Sequence, residues 1–202
     1  MTEKDTFKTI IKPSEEVLFK DKNSKFFGYA FPISTEDDTK EILSTVKNYH
    51  HKARHWCYAY QIGTENFTYR VNDDGEPSNS AGMPIYKQIQ SFELTNVLIV
   101  VVRYFGGIKL GVSGLINAYK TSAQMALETS RIIEKTIDVQ YLISFEYEIM
   151  NTVMRIIKER NLNIVNQKLE LNCEIIISIR KSEAEKVIEI FETSFKVGIK
   201  KL

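Results

Sequence analysis

The shortages in this sequence are its first guide. Only two cysteines, Cys57 and Cys173, occur among 202 residues. That is too few for a disulfide framework, and with no apolar leader after Met1 it predicts reduced thiols and a cytoplasmic location. No charge sign prevails: 27 basic side chains stand against 26 acidic ones, for a net charge of +1. Residues 1–135 carry 17 Lys/Arg and 16 Asp/Glu, and residues 136–202 carry 10 of each. Neither part has the basic excess of a non-specific nucleic-acid binder, so any phosphate recognition must be local and built by a few groups. The longest apolar run, Val97–Val102, falls far short of the roughly 20 residues of a membrane helix, and no membrane partner is expected. The G-x-S-x-G, H-E-x-x-H, Walker and dinucleotide fingerprints do not appear.

What is present reads as two domains meeting near Thr136, with no Gly, Pro or Ser run between them. Phe26–Phe31 is rich in strand formers and ends at Pro32. Ser34 or Thr35 then caps an acidic first turn, and Ile42, Leu43, Val46 and Tyr49 follow at helical spacing, which predicts a helix over 35–50. His55–Ile62 and Phe67–Val71 read as short strands around a Gly63–Asn66 turn. Asp73–Ala81 is turn and capping chemistry, with Ser78 or Ser80 the expected N-cap of a helix over 81–91. Val97–Val102 suits a central strand buried on both faces. Gly106, Gly107, Gly111 and Gly114 then hold four of the nine glycines and open a long helix with Leu115, Ala118, Tyr119, Ser122, Met125 and Ala126 on one face.

The remainder alternates apolar and polar residues over 138–149. A helix capped by Asn151 follows, then strands over 162–170 and 171–180. A second helix is capped by Ser182 and carries Ala184, Val187, Ile188, Phe191 and Phe195 on one face, and a last strand covers Val197–Lys201. That order, β-α-β-β-α-β, is the split βαβ or ferredoxin-like pattern. Tyr141, Phe145 and Tyr147 share their alternating face with Ile143 and Ile149, so they read as core and not as base-stacking groups.

Two stretches are distinctive. They are Asp73-Asp-Gly-Glu-Pro-Ser-Asn-Ser-Ala-Gly-Met-Pro84 and Val101-Val-Arg-Tyr-Phe-Gly-Gly-Ile-Lys-Leu-Gly-Val-Ser-Gly-Leu-Ile-Asn-Ala-Tyr119. With Ala53–Tyr60 upstream, they resemble the IMPACT/YigZ family over about residues 15–130. Asn79 and Ser113 stand where that family often has glycine, and Asn117 where many members carry arginine, so no phosphate role is carried onto Asn117. The resemblance implies an α+β chain: an N-terminal α/β domain over 1–135, like a small-subunit ribosomal protein and the tip domain of the translocating elongation factor, then the ferredoxin-like domain over 136–202. It also implies a translation-associated regulator. Eukaryotic relatives compete for a scaffold that activates an initiation-factor kinase, and ribosome or RNA binding has been suggested for bacterial ones.

The residues add a candidate surface. Glycines at a helix start let a backbone approach a ligand, and free N–H groups there attract anions. Gly106, Gly107 and Gly111, with Arg103 and Lys109 beside them, are therefore read as ligand-binding, together with Ser78, Ser80, Asp74, Glu76 and His55; the plainer reading of the glycines is tight turns and close packing. Asp73, Asp74 and Glu76 could hold Mg²⁺ or simply cap N–H groups. His50, His51, His55 and Cys57 invite zinc or Cys–His nucleophile readings, whereas His50 and His51 at a helix end suit its dipole. No catalytic residue, metal or cofactor is assigned. The expected function is a non-enzymatic binding module for RNA, the ribosome or a protein scaffold. The alternative is a hydrolase or transferase acting on a small phosphorylated or acyl substrate; it requires His55 to reach a carboxylate or Cys57 at a pocket mouth.

Overall fold

In a computed structural model of the protein, which describes residues 5–193 and 196–202, the chain is α+β and divides into two compact units. One is Phe7–Lys135; the other is Thr136–Leu202 joined by Asp5 and Thr6. No helix among the described residues is long and apolar enough to cross a membrane.

The first unit begins with β1 (Thr6–Ile10), which pairs with the late strand β7 (Ile132–Thr136) in a two-stranded ribbon. Its main sheet is built from β2 (Val17–Asp21), β3 (Ser24–Pro32), β4 (His55–Ile62), β5 (Thr68–Asn72) and β6 (Val97–Tyr104), in the order β2-β3-β6-β4-β5. Every pairing in it is antiparallel. The strand rich in β-branched residues, β6, is central as its composition predicts, and Val97 to Val102 are all at 0% exposure.

Helix α1 (Glu36–Tyr49) is capped as expected, with Thr35 and Asp38 forming a reciprocal capping box. It borders a core made with Tyr58, Tyr60, Leu98, Val100 and Val102. Helices α2 (Gly82–Ser91) and α3 (Gly111–Glu128) share the other core with Phe26, Ala30, Cys57, Ala59, Ile99 and Val101. Strand alternation thus sends neighbouring residues of β6 to opposite layers.

The second unit comprises β8 (Asp138–Glu146), α4 (Met150–Glu159), β9 (Asn163–Lys168), β10 (Asn172–Arg180), α5 (Ala184–Glu192) and β11 (Val197–Lys201). Its antiparallel sheet has the order β11-β8-β10-β9, the split βαβ arrangement. Ile143, Phe145, Ile175 and Ile177 pack with Val153, Ile157, Val187 and Phe191.

Three local readings change. First, β8 stops at Glu146 and Tyr147–Ile149 forms a 3₁₀ turn, so Tyr147 leaves the buried face and is 61% exposed. Second, neither Asn151 nor Ser182 is a cap, because 3₁₀ turns feed directly into α4 and α5 and the cap positions fall on Ile149 and Glu183. Third, β7 had no counterpart in the sequence reading. Phe195, read as core, lies outside the described residues.

Candidate functional site

The two distinctive segments meet at Arg103. On β6 it lies in register between Phe26 of β3 and His55 of β4, on the layer covered by α2 and α3. Its guanidinium sits 5.6 Å from the Phe26 ring centroid and 5.5 Å from that of Phe105, within cation–π range. Nη1 donates to Glu76 Oε1 at 2.7 Å, and the hydroxyl of Tyr119 donates to the same oxygen at 2.8 Å. The side chains of Arg103 and Glu76 are 7% and 4% exposed.

Behind them, Cys57 Sγ lies 3.0 Å from the Asp73 carbonyl oxygen and 3.3 Å from the Tyr119 oxygen; its single proton serves one at a time. Burial above all pushes both the Cys57 thiol and the Tyr119 hydroxyl well above their ordinary values, so each stays protonated. Arg103 Nε is buried with no partner among the described residues, a deficit of about 1–3 kcal/mol for an unmade bond.

The turn 73–81 is held from inside. Asp73 Oδ1 accepts from the N–H groups of Ala81 and Gly82 at 2.9 and 2.8 Å, and Oδ2 accepts from Asn79 N–H at 2.8 Å. The start of α2 is therefore filled by the protein's own carboxylate, not by Ser78 or Ser80, and does not present a second free helix start beside α3. Ser80 is buried and donates to the Pro77 carbonyl at 2.6 Å; exposed Ser78 accepts from Asn79 at 3.3 Å. Asp74 accepts from the Trp56 N–H at 2.7 Å, and His55 Nδ1 donates to the Asp74 carbonyl at 2.8 Å. The three carboxylates thus diverge to three different duties. Among the described residues no group of three His, Cys, Asp or Glu side chains could hold a metal.

The glycines divide between the two readings. A Cβ on Gly106 would lie 2.0 Å from the backbone of Asn23 in the β2–β3 turn, so Gly106 serves close packing. Gly107 and Gly111 have φ of +87° and +73° with open space beside them, conformations costly for other residues. Around the start of α3 lies a cavity of about 300 Å³, walled by Arg103, Glu76, Phe105, Lys109, Gly111 and Val112 among others. Position Leu110 provides no side-chain cap for α3. Of the residues read as ligand-binding, the structure brings Arg103, Glu76, Lys109 and Gly111 to this cavity. Ser80, Asp74 and His55 are committed to internal bonds. Sequence reasoning missed Tyr119 and Phe105 as parts of the site: Tyr119 fell on the helix's apolar face, which is a core signal.

The histidines do not join Cys57. His50 terminates α1, on the other side of the sheet. Its Nδ1 is 3.0 Å from the Tyr104 hydroxyl and its Nε2 2.5 Å from that of Tyr29, which itself donates to Glu16. With that proton committed, Nε2–H donates to Tyr29, while Nδ1 and the Tyr104 hydroxyl share one hydrogen bond. Burial depresses the His50 pKa, against a smaller upward pull from Glu16. The expected helix-end imidazolium is thus disfavoured, because the ring is buried among tyrosines. His55 reaches neither a carboxylate nor Cys57, and Cys57 is fully buried. The geometric requirement set for the enzyme reading is not met.

Comparison with known proteins identifies the family. The Impact N-terminal domain matches residues 22–127, a span that includes both segments. An IMPACT family member from Haemophilus influenzae is 32% identical over 188 residues, covering 90% of this chain and 88% of its own. The IMPACT family member YvyE of Bacillus subtilis is 40% identical over 112 residues, covering 55% of this chain and 52% of its own. A crystal structure of a hypothetical protein superposes with a TM-score of 0.75 over 96% of both chains at 23% identity, a likeness of fold. On the domain match and the near full-length relative together, this chain belongs to the IMPACT family.

Proposed function

We propose that this protein is a non-enzymatic, translation-associated binding module that recognises RNA, the ribosome or a protein scaffold through the surface at the start of α3. The family resemblance supports the link to translation. The observation that carries the choice of surface is the shared carboxylate oxygen of Glu76, which ties the 73–84 turn to both Arg103 and Tyr119 at 2.7 and 2.8 Å. Two segments far apart in sequence are thereby held as one rigid wall beside a cavity. Lys109 is the exposed cation of that wall, and an uncapped helix start adds partial positive charge.

The geometry also decides which variant tests the reading. Arg103→Ala would strand a buried carboxylate and perturb folding, whereas Lys109→Ala removes only a surface charge. Purified protein should co-sediment with ribosomes or bind labelled RNA across about 50–300 mM salt, steeply salt-dependent if phosphate is contacted, and Lys109→Ala should weaken it. No association at low salt would remove the RNA and ribosome versions. Association unchanged by Lys109→Ala would remove this surface.

A further inference from the structure

The cavity beside Arg103 has a definite chemical character. Its charged walls nearly balance: Arg103 is paired with Glu76, leaving Lys109 and the partial charge of the α3 N-terminus as the surplus. That surplus suits a single negative charge and not a dianion. The Nε of Arg103, a residue that lines this cavity, is buried without a partner among the described residues, so the guanidinium's own hydrogen bonding is incomplete. The rest of the lining, including Phe105, Leu110 and Val112, is apolar.

Outside the cavity the apolar character continues. Phe105, Ile108, Val112 and Ile116 are 55%, 49%, 53% and 39% exposed, and Val112 and Ile116 fall one above the other on α3. From Phe105 to Leu127 the chain carries Lys109 and Lys120 and no carboxylate, and α2 adds Lys87 and no carboxylate either. Lys87 and Lys120 also line a groove between α2 and α3 that includes Met83, Phe92 and Ile116. A nucleic-acid interface is polar and densely basic. This surface is apolar with a sparse set of lysines, which complements an acidic, apolar partner.

We propose that this face docks an acidic, apolar peptide segment of a protein partner, with one of its carboxylates entering the cavity toward Lys109, Arg103 and the start of α3. The flanking apolar side chains pack on Phe105, Val112 and Ile116. This rests on the binding-module reading above and selects its protein-scaffold branch.

The test is to pan a random 12-residue peptide display library against the full-length protein. Enriched peptides are then synthesised and their affinities measured for the wild type, Lys109→Glu, Val112→Asp and the distant control Lys40→Glu. Lys109, Val112 and Lys40 are exposed, so the variants are expected to fold, and a thermal melt of each checks this. The expected result is enrichment of sequences with Asp or Glu flanked by apolar residues. Affinity should fall at least tenfold in Lys109→Glu and Val112→Asp, fall similarly when the peptide's acid is made an amide, and be unchanged in Lys40→Glu.

A gentler pair, Lys109→Gln and Val112→Ser, replaces any variant that melts early. No enrichment, enrichment without acidic residues, or binding indifferent to both cavity variants would overturn the proposal. So would loss of RNA binding as the only effect of Lys109→Glu. Ribosome or RNA association that persists while the panning fails sinks this inference and leaves the binding-module reading; failure of both sinks both.

Discussion

Arg103 and Glu76 close on each other at 2.7 Å with both side chains more than nine-tenths buried. A buried ion pair of this kind is weak evidence for net stability, yet removing one partner is costly, because the other charge is left without compensation. Arg103→Ala and Glu76→Ala are each expected to lose about 3–5 kcal/mol of unfolding free energy. The double variant should lose less than the sum of the two by about 0.5–3 kcal/mol, the range seen for residues in one network. Denaturant unfolding of the four proteins checks this; strict additivity would show the pair to be independent.

Asp73 carries three backbone N–H groups, from Asn79, Ala81 and Gly82. Its replacement by alanine uncaps α2 and should lower stability by about 1–2 kcal/mol, while Asn, with one accepting oxygen in place of two, should recover only part of it. An Asp73→Ala denaturation midpoint equal to the wild type would contradict the capping assignment.

His50 makes stability pH-dependent, with a sign fixed by its burial. Its folded pKa lies below the ordinary 6.5 because desolvation outweighs the attraction of Glu16. The unfolded chain therefore binds more protons in this range, so stability is fully present above 6.5 and is lost as pH falls from 6.5 through the folded value. The groups facing the ring are Glu16, Tyr29, Tyr49 and Tyr104, with Phe27 packed against it. Thermal melts between pH 7.5 and 5.0 should fall for the wild type and fall less for His50→Gln. A wild type that gains stability on acidification over this window would contradict the assignment.

Both cysteines are at 0% exposure and unpaired with each other. A thiol-reactive dye at pH 8 should label neither in the native protein and both after denaturation, since reactivity needs an accessible thiolate. Rapid labelling of Cys57 in the native state would revive the nucleophile reading.

Much of this was readable in the sequence for physical reasons. A six-residue run of Val, Leu and Ile suits a strand buried on both sides, and β6 is one. The cap of α1 lies within a short window, so the sequence narrows it to Ser34 or Thr35, and the structure selects Thr35 with Asp38. What escaped is non-local or ambiguous in period. Asp73 bonds Ala81 and Gly82 from eight and nine positions away, beyond any local capping rule, so nearby Ser78 and Ser80 took its place. Tyr119 meets Glu76 across 43 positions. The strand β7 pairs with β1 at the other end of its unit, and the exposed Ile132 gives no alternation to find it. Tyr147 and Ile149 continue the alternation of β8 into a 3₁₀ turn, where apolar spacing cannot separate strand from helix start. The two distinctive segments were legible; which of their side chains line the cavity was not, because Arg103 looks the same in sequence whether free or paired.

The central claim is that the start of α3 is where this protein meets the translation apparatus. The most direct measurement places a photo-crosslinking amino acid at Val112, at the mouth of the cavity, and separately at Tyr49, which is 70% exposed on α1. Each full-length protein is irradiated in growing cells that make it, and the captured partners are identified. The account predicts crosslinks from Val112 to ribosomal components or translation-associated proteins, reduced by Lys109→Glu and absent from Tyr49. Equal capture from both positions, or capture at Val112 only of proteins unconnected with translation, would contradict it.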